Sequence, residues 1–155
     1  MNAKKILVPT DFSTIGDAAL CYAAALARDM GARLLIVHVE EPPLAYGGGE
    51  MYYGAPDPNQ QDLEKMLASV VPGDKQVPYE HRLIAGDPST VLVRLADDEE
   101  VDMIVMGTHG RTGLTRLLMG SVAEAVVRRA NCPVLTVKSD TKTPATVGGV
   151  SDGDV

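Results

Sequence analysis

With 155 residues, 45% of them hydrophobic, the chain is sized for one domain whose core needs neither disulfides nor a metal. A formal charge of −7, with no cluster of lysines and arginines, opposes a nucleic acid partner, and one Phe, five Tyr and no Trp leave few platforms for stacked bases. Cys21 and Cys132 sit in no Cys-x-x-Cys or Cys/His ligand spacing, no apolar run is long enough to span a bilayer, and the opening Met-Asn-Ala-Lys-Lys is no signal-peptide core, so a cytoplasmic protein with no membrane partner is expected.

Lys4-Lys5 lead into Ile6-Leu7-Val8, an apolar run suited to a strand covered on both faces, and Pro9 ends it by removing a ladder donor. Thr10-Asp11-Phe12-Ser13 carries the polar residues of a helix start, with Ser13 the expected N-cap. Ala19, Ala23, Leu26, Ala27 and Met30 follow at helical spacing and give a small-residue face able to lie close against a sheet; Gly31 closes that helix at C′. Residues 34–39 form a second apolar strand, interrupted by His38, a lone histidine to which the pattern assigns no role. Residues 40–59 are Pro- and Gly-rich, with Gly47-Gly48-Gly49 near Tyr46, Tyr52 and Tyr53, and read as a long mobile loop. Residues 62–70 make a short helix with Leu63, Met66, Leu67 and Val70 on one face, stopped by Pro72-Gly73.

Residues 79–85 read as a third strand, and Gly86-Asp87-Pro88 as a turn into a helix, with Asp87 capping and Pro88 at the first helical position. That helix directs Val91, Leu92, Leu95 and Ala96 to the core, and Asp97-Asp98-Glu99-Glu100 reads as its solvated end, not as a metal site. A fourth strand, 101–106, drops into Gly107-Thr108-His109-Gly110, crosses a polar loop, and re-enters regular structure at Gly120-Ser121, after which Val122, Ala125, Val126 and Ala130 form a buried stripe. A strand, a glycine loop and a helix start in series can cradle an anion, phosphate above all, because unpaired N–H groups and a partial positive charge meet there. Spacing alone leaves open that Gly107, Gly110 and Gly113 are ordinary turn residues. Asn131-Cys132-Pro133 breaks the helix, Val134-Leu135-Thr136-Val137 forms a fifth strand, and 139–155, rich in Thr, Gly and Asp, reads as a flexible tail beyond a domain spanning 1–138.

Strands alternating with helices predict an α/β fold: a three-layer α/β/α sandwich, Rossmann-like, around a five-stranded parallel sheet with right-handed crossovers. In the order 3-2-1-4-5, strands one and four adjoin where the order reverses, which brings Pro9-Thr10-Asp11 and 107–110 to one crevice.

These residues resemble the universal stress protein family, in its nucleotide-binding branch. The resemblance rests on Val8-Pro9-Thr10-Asp11-Phe12-Ser13, Val37-His38-Val39, a complete Gly-x2-Gly-x9-Gly-Ser pattern at Gly107, Gly110, Gly120 and Ser121, and the closing Cys132-Pro133-Val134. It implies bound ATP with a divalent cation such as Mg. Pro9, Thr10 and Asp11 would form the ribose side, the Asp11 carboxylate accepting from the two ribose hydroxyls. Val39 would meet adenine through its backbone, Met106 and Gly107 would line the ribose, and Gly110, Gly120, Ser121 and Val122 would surround the phosphates. The resemblance also suggests a homodimer paired through Val134 to Val137, an apolar strand at the sheet edge. No Gly-x4-Gly-Lys-Ser/Thr loop is present, and Ser13, Ser89 and Ser121 are explained as helix-start residues, so no catalytic residue is assigned. An ATP-dependent stress switch or sensor is the leading expectation. A slow ATPase or nucleotidyl-transferring enzyme on the same site, and an interaction protein with a vestigial pocket, are the alternatives.

Overall fold

Short apolar runs bounded by Pro, Gly or charge become the strands, and the 3.6-period segments between them become the helices. The computed structural model describes residues 3–42, 60–108, 119–138 and 144, with backbone alone for 14–17. The described elements are β1 Lys5–Pro9, α1 Thr14–Met30, β2 Arg33–Glu40, α2 Gln60–Ser69, β3 Tyr79–Ala85, α3 Pro88–Asp98, β4 Met103–Gly107, α4 Ser121–Arg129 and β5 Val134–Val137. All strand pairs are parallel and the order is β3-β2-β1-β4-β5, the order expected.

Parallel neighbours need a crossover, and its right-handedness decides which face each helix covers. The path β1 to β2 to β3 steps one way across the sheet and the path β3 to β4 to β5 returns, so α1 and α2 lie on one face and α3 and α4 on the other. The core divides accordingly. Ile6, Val8, Leu34, Ile36 and Val105 meet Ala19, Ala23, Ala27 and Leu67 on the first face. Leu7, Leu35, Val37, Ile104 and Met106 meet Leu92, Ala96, Ala123 and Val126 on the second. This period-2 alternation explains why the central strands read as unbroken apolar runs: Ile6, Leu7, Leu34, Leu35 and Ile36 are all 0% exposed. Each such burial stabilises the fold by roughly 1.5–3 kcal/mol.

Helix ends follow their local chemistry. Gly31 takes φ +67 after α1 while the Ala32 N–H donates to the Ala27 carbonyl at 2.8 Å, a Schellman closure. Asp87 caps α3 by accepting from the Thr90 amide at 3.0 Å, with Pro88 in the first turn. Hydrogen bonds from the Thr90 hydroxyl, the Thr90 amide and the Ser89 hydroxyl hold the Asp87 carboxyl below the usual carboxylate range.

Several boundaries and faces differ from the sequence expectation. β4 begins at Met103, not at 101, because the Val101 N–H is committed to the Ala96 carbonyl at 2.9 Å, closing α3. Met66, expected to face inward, is 39% exposed, since α2 buries Leu67 alone as a full core residue. The acidic run after α3 is no bare solvated end. Glu99 pairs with Lys5 at 2.8 Å and with Arg82 at 3.5 Å, and Asp97 accepts from Asn131 at 3.1 Å. Lys5 foremost, with Arg82 adding, holds the Glu99 carboxyl below its ordinary range. The loop expected over 40–59 begins late, because β2 runs through Glu40; residues 43–59 and, apart from Pro144, the tail at 139–155 lie outside the described residues.

Gly86 has φ +149, and a β-carbon there would come within 2.7 Å of Val91 Cγ2, whereas one at Gly31 would meet nothing within 4 Å. Gly31→Ala should therefore cost about 1–2 kcal/mol, the left-handed penalty alone. Gly86→Ala should cost roughly 1 kcal/mol or more beyond that, through overlap with Val91. Urea denaturation of the two variants checks the order, and equal midpoints would contradict it.

Candidate functional site

At the carboxyl ends of β1 and β4 the sheet comes apart. The ladder between them is confined to Ile6 with Met103 and Leu7 with Ile104, whereas β1 and β2 stay in register through Pro9 and Val37. The strand order reverses at this point, the place where open α/β sheets leave a crevice.

Ladder alternation decides which backbone groups face it. The Val37 carbonyl accepts the Thr10 N–H on the β1 side, and the Glu40 carbonyl accepts the Gly86 N–H on the β3 side. The N–H and C=O of Val39 therefore turn to the β1 side, beyond Pro9↔Val37, the last pair that β1 and β2 share. On the opposite flank the Thr108 N–H donates to the Val137 carbonyl on the β5 side, so the neighbouring Gly107 turns its N–H and C=O toward β1. Two peptide groups thus flank the end of β1.

Between them stands the loop that carries Asp11. Thr10 Oγ1 accepts the Phe12 N–H at 3.1 Å, and Asp11 Oδ1 accepts the Ser13 N–H at 2.9 Å, an Asx-turn leading into α1. Ser13, the expected N-cap, stands directly before the first helical residue. Phe12 has φ +65, a left-handed conformation that costs a bulky L-residue about 1–2 kcal/mol. Packing offsets that strain: the Phe12 ring lies against the α1-face core and 4.4 Å from the His38 ring, tilted by 36°. His38 Nδ1 is 2.7 Å from the Thr10 carbonyl oxygen. A carbonyl only accepts, so Nδ1 carries the proton. Asp11 is left with one oxygen committed to the turn and the other, Oδ2, without a partner among the described residues.

The second loop is closed at its base by Thr108, which is 6% exposed. Its carbonyl accepts the Gly120 N–H at 2.7 Å, so β4, β5 and the start of α4 are joined through one residue. Gly120 is the N-cap of α4 with φ −61 and ψ 152, and among the described residues no side chain caps the helix there. The first N–H groups of α4 therefore retain donor capacity and partial positive charge. Ser121, the first helical residue, is exposed.

Of the residues singled out in the sequence, Pro9, Thr10, Asp11, Val39, Met106, Gly107, Gly120, Ser121 and Val122 lie on the elements bordering this crevice, and Gly110 is outside the described residues. Met106 is 5% exposed and packs, with Val39 and Val122, into the α3/α4 core. Two residues were missed. His38 looked like an interruption in an apolar strand, and its partners lie 28 and 26 positions away in sequence. Thr108 sat inside the glycine pattern without being singled out. A cavity of about 340 Å³ is lined by Phe12, Leu20, Met66, Ser69, Val70 and Val71. Its one hydroxyl, from Ser69, already donates to the Met66 carbonyl.

Residues 2–138 match the sequence profile of the universal stress protein family. The chain belongs to the universal stress protein family. A universal stress protein of Methanocaldococcus jannaschii is 34% identical over 144 residues, covering 90% of this chain and 84% of its own. Among solved structures, the universal stress protein from Archaeoglobus fulgidus in complex with dAMP superposes with a TM-score of 0.63 at 28% identity, over 88% of this chain and 98% of the other. A universal stress protein in complex with cAMP gives 0.67 at 25% identity, over 89% and 98%.

The Asx-turn makes a test of the Asp11 loop. Asp11→Asn keeps an acceptor for the Ser13 N–H, and Asp11→Ala removes it at a net cost of about 1 kcal/mol. Amide exchange at Ser13 should be roughly unchanged in Asp11→Asn and about fivefold faster in Asp11→Ala. Equal protection in both variants would mean that the carboxylate does not hold the turn.

Proposed function

We propose that this protein binds an adenine nucleotide, ATP in the first place, in the crevice between β1 and β4, and acts as a nucleotide-dependent switch or sensor in the stress response. The observation that carries the reading is the convergence on one gap of a half-committed carboxylate, two outward-facing strand peptides and a helix start without a side-chain cap. The relatives solved with cAMP and dAMP support an adenine nucleotide as the class of ligand.

In this reading Asp11 Oδ2 accepts from the ribose, beside Pro9 and Thr10. The Val39 peptide meets the adenine edge, with Met106 and Gly107 along the ribose. Gly110, Gly120, Ser121 and Val122 surround the phosphates at the start of α4, where the helix dipole and free N–H groups favour an anion. The binding domain spans 1–138. Among the described residues no group of three or more His, Cys, Asp or Glu side chains could hold a metal. A divalent cation such as Mg would therefore ride on the triphosphate and its water, as is common for Mg at nucleotide sites.

Turnover is absent or slow. The chain has no Gly-x4-Gly-Lys-Ser/Thr loop to bring a lysine to the phosphates, and His38 and His81 each spend one ring nitrogen on a backbone carbonyl, of Thr10 and Val70; His109 lies outside the described residues. Phosphate release at about 1 per second or faster, abolished by Asp11→Ala, would establish the enzyme reading instead.

Glycine at position 120 has an ordinary extended φ, so the backbone alone does not require it. Gly120→Ser adds a β-carbon where the phosphates are placed and supplies a better N-cap. The variant should keep its far-ultraviolet spectrum yet bind ATP at least about tenfold more weakly by calorimetry, a loss of roughly 1.4 kcal/mol. Undiminished binding would move the phosphates elsewhere.

Assembly belongs to the same proposal. β3, at one sheet edge, carries Glu80 and Arg82, charges of the kind that blunt an edge, whereas β5 at the other reads Val-Leu-Thr-Val with Leu135 39% exposed. A homodimer would pair Val134 to Val137 with its two-fold mate. The Pro133 and Val137 carbonyls accept from β4, so alternation turns the N–H and C=O of Val134 and Thr136 outward. Thr136→Pro removes an outward donor and spares the β4 ladder, and by light scattering it should be monomeric where the parent is a dimer. A parent that is monomeric at micromolar concentration would refute this interface. On composition, a cytoplasmic setting fits: neither Cys21 nor Cys132 is in a disulfide, and burial, with Asp97 nearby, pushes the Cys132 thiol upward.

A further inference from the structure

His38 is a polar side chain of β2 to which the nucleotide reading gives no task, and its two contacts bracket one residue. Its Nδ1–H donates to the carbonyl of Thr10 at 2.7 Å, and its ring lies 4.4 Å from the ring of Phe12. Asp11 sits between those two positions in the chain. Phe12 is in the left-handed region at φ +65, a conformation that a bulky residue keeps only when its surroundings enforce it. The Phe12 N–H and the Ser13 N–H fold back on Thr10 Oγ1 and Asp11 Oδ1, so the direction of the carboxylate depends on this short turn. The backbone of the turn is tied to β2 through the Thr10 N–H bond to Val37 and, at the Thr10 carbonyl, through His38.

We propose that His38 is a positioning residue for ligand recognition: through its Nδ1–H on the Thr10 carbonyl and its ring on Phe12, it aims the free Asp11 oxygen at the crevice and thereby sets selectivity for the ribose hydroxyls. The proposal rests on the nucleotide reading above and deepens it. His38 touches no ligand in this scheme. It acts from the α1 face of the sheet, the side on which Ile36, two residues earlier, joins the α1-face core, while Val39 turns to the other face. Because the hydrogen bond and the ring contact act on opposite sides of Asp11, losing the donor frees the turn without removing the carboxylate.

The test compares ATP with 2′,3′-dideoxyadenosine triphosphate, whose ribose cannot donate to Asp11. The parent should prefer ATP by about tenfold or more, as expected for a hydrogen bond to a charged group. His38→Leu keeps apolar bulk without the donor and should reduce that preference to less than about threefold while leaving dideoxy-nucleotide affinity near the parent's. His38→Asn places an amide N–H on the same carbon that bears Nδ1 and should restore most of the preference. In an Asp11→Ala background, where the preference is already lost, His38→Leu should change nothing further. An unchanged preference in His38→Leu overturns the proposal and leaves the nucleotide reading standing. So does an equal loss of both nucleotides, which marks general damage to the site. A parent that binds neither nucleotide overturns the nucleotide reading, and this proposal with it.

Discussion

The parting of β1 from β4 is the constraint on which the rest depends. Right-handed crossovers leave one position in this sheet where helices on opposite faces diverge, and that position has to lie between the first strand of each direction of winding. Ladder hydrogen bonds hold β1 to β2 as far as Pro9 but join β1 to β4 at two residue pairs only. Everything placed at the crevice follows from that asymmetry: a strand peptide turned toward it at Val39 on one side, one at Gly107 on the other, and the Asp11 turn between them.

The two loops are stabilised by different physics. The Asp11 loop is short and internally bonded, and it contains a strained φ at Phe12 that packing and the His38 contact sustain. The β4–α4 connection is anchored at its two ends, where buried Thr108 ties the chain to Val137 and to Gly120. Both supports are held at described residues of separate elements, so the crevice between them is bordered by fixed backbone on each side.

The opposite end of the sheet shows what charge does where no ligand is called for. Lys5, Glu99, Arg82 and Glu80 form a partly exposed chain of ion pairs, and the backbone N–H groups of Lys4 and Lys5 donate to the Asp102 carboxylate at 2.8 and 2.9 Å. Such pairs contribute little singly, on the order of 0–1 kcal/mol each. Here they fasten the first residues of β1 to the α3–β4 connection, so the central strand is held at one end by charge and released at the other.

By itself the sequence determined which segments are strands and helices and several of their ends, because these depend on local patterns: unbroken apolar runs for doubly covered strands, Asp87-Pro88 at a helix start, Gly31 after one; the strand order followed from the alternation of strands and helices only with the rule of right-handed crossovers. Asp11 and the pattern at Gly107, Gly110, Gly120 and Ser121 were legible through the family resemblance, spacing alone leaving the glycines open as turn residues. Contacts between distant segments were decided by tertiary structure alone. His38 read as an idle histidine until the fold set it under Thr10 and beside Phe12, and the acidic run read as a solvated end until Lys5 and Arg82 came to Glu99. Which peptide groups face the crevice was equally beyond the sequence, because ladder direction is a property of paired strands and not of either strand alone.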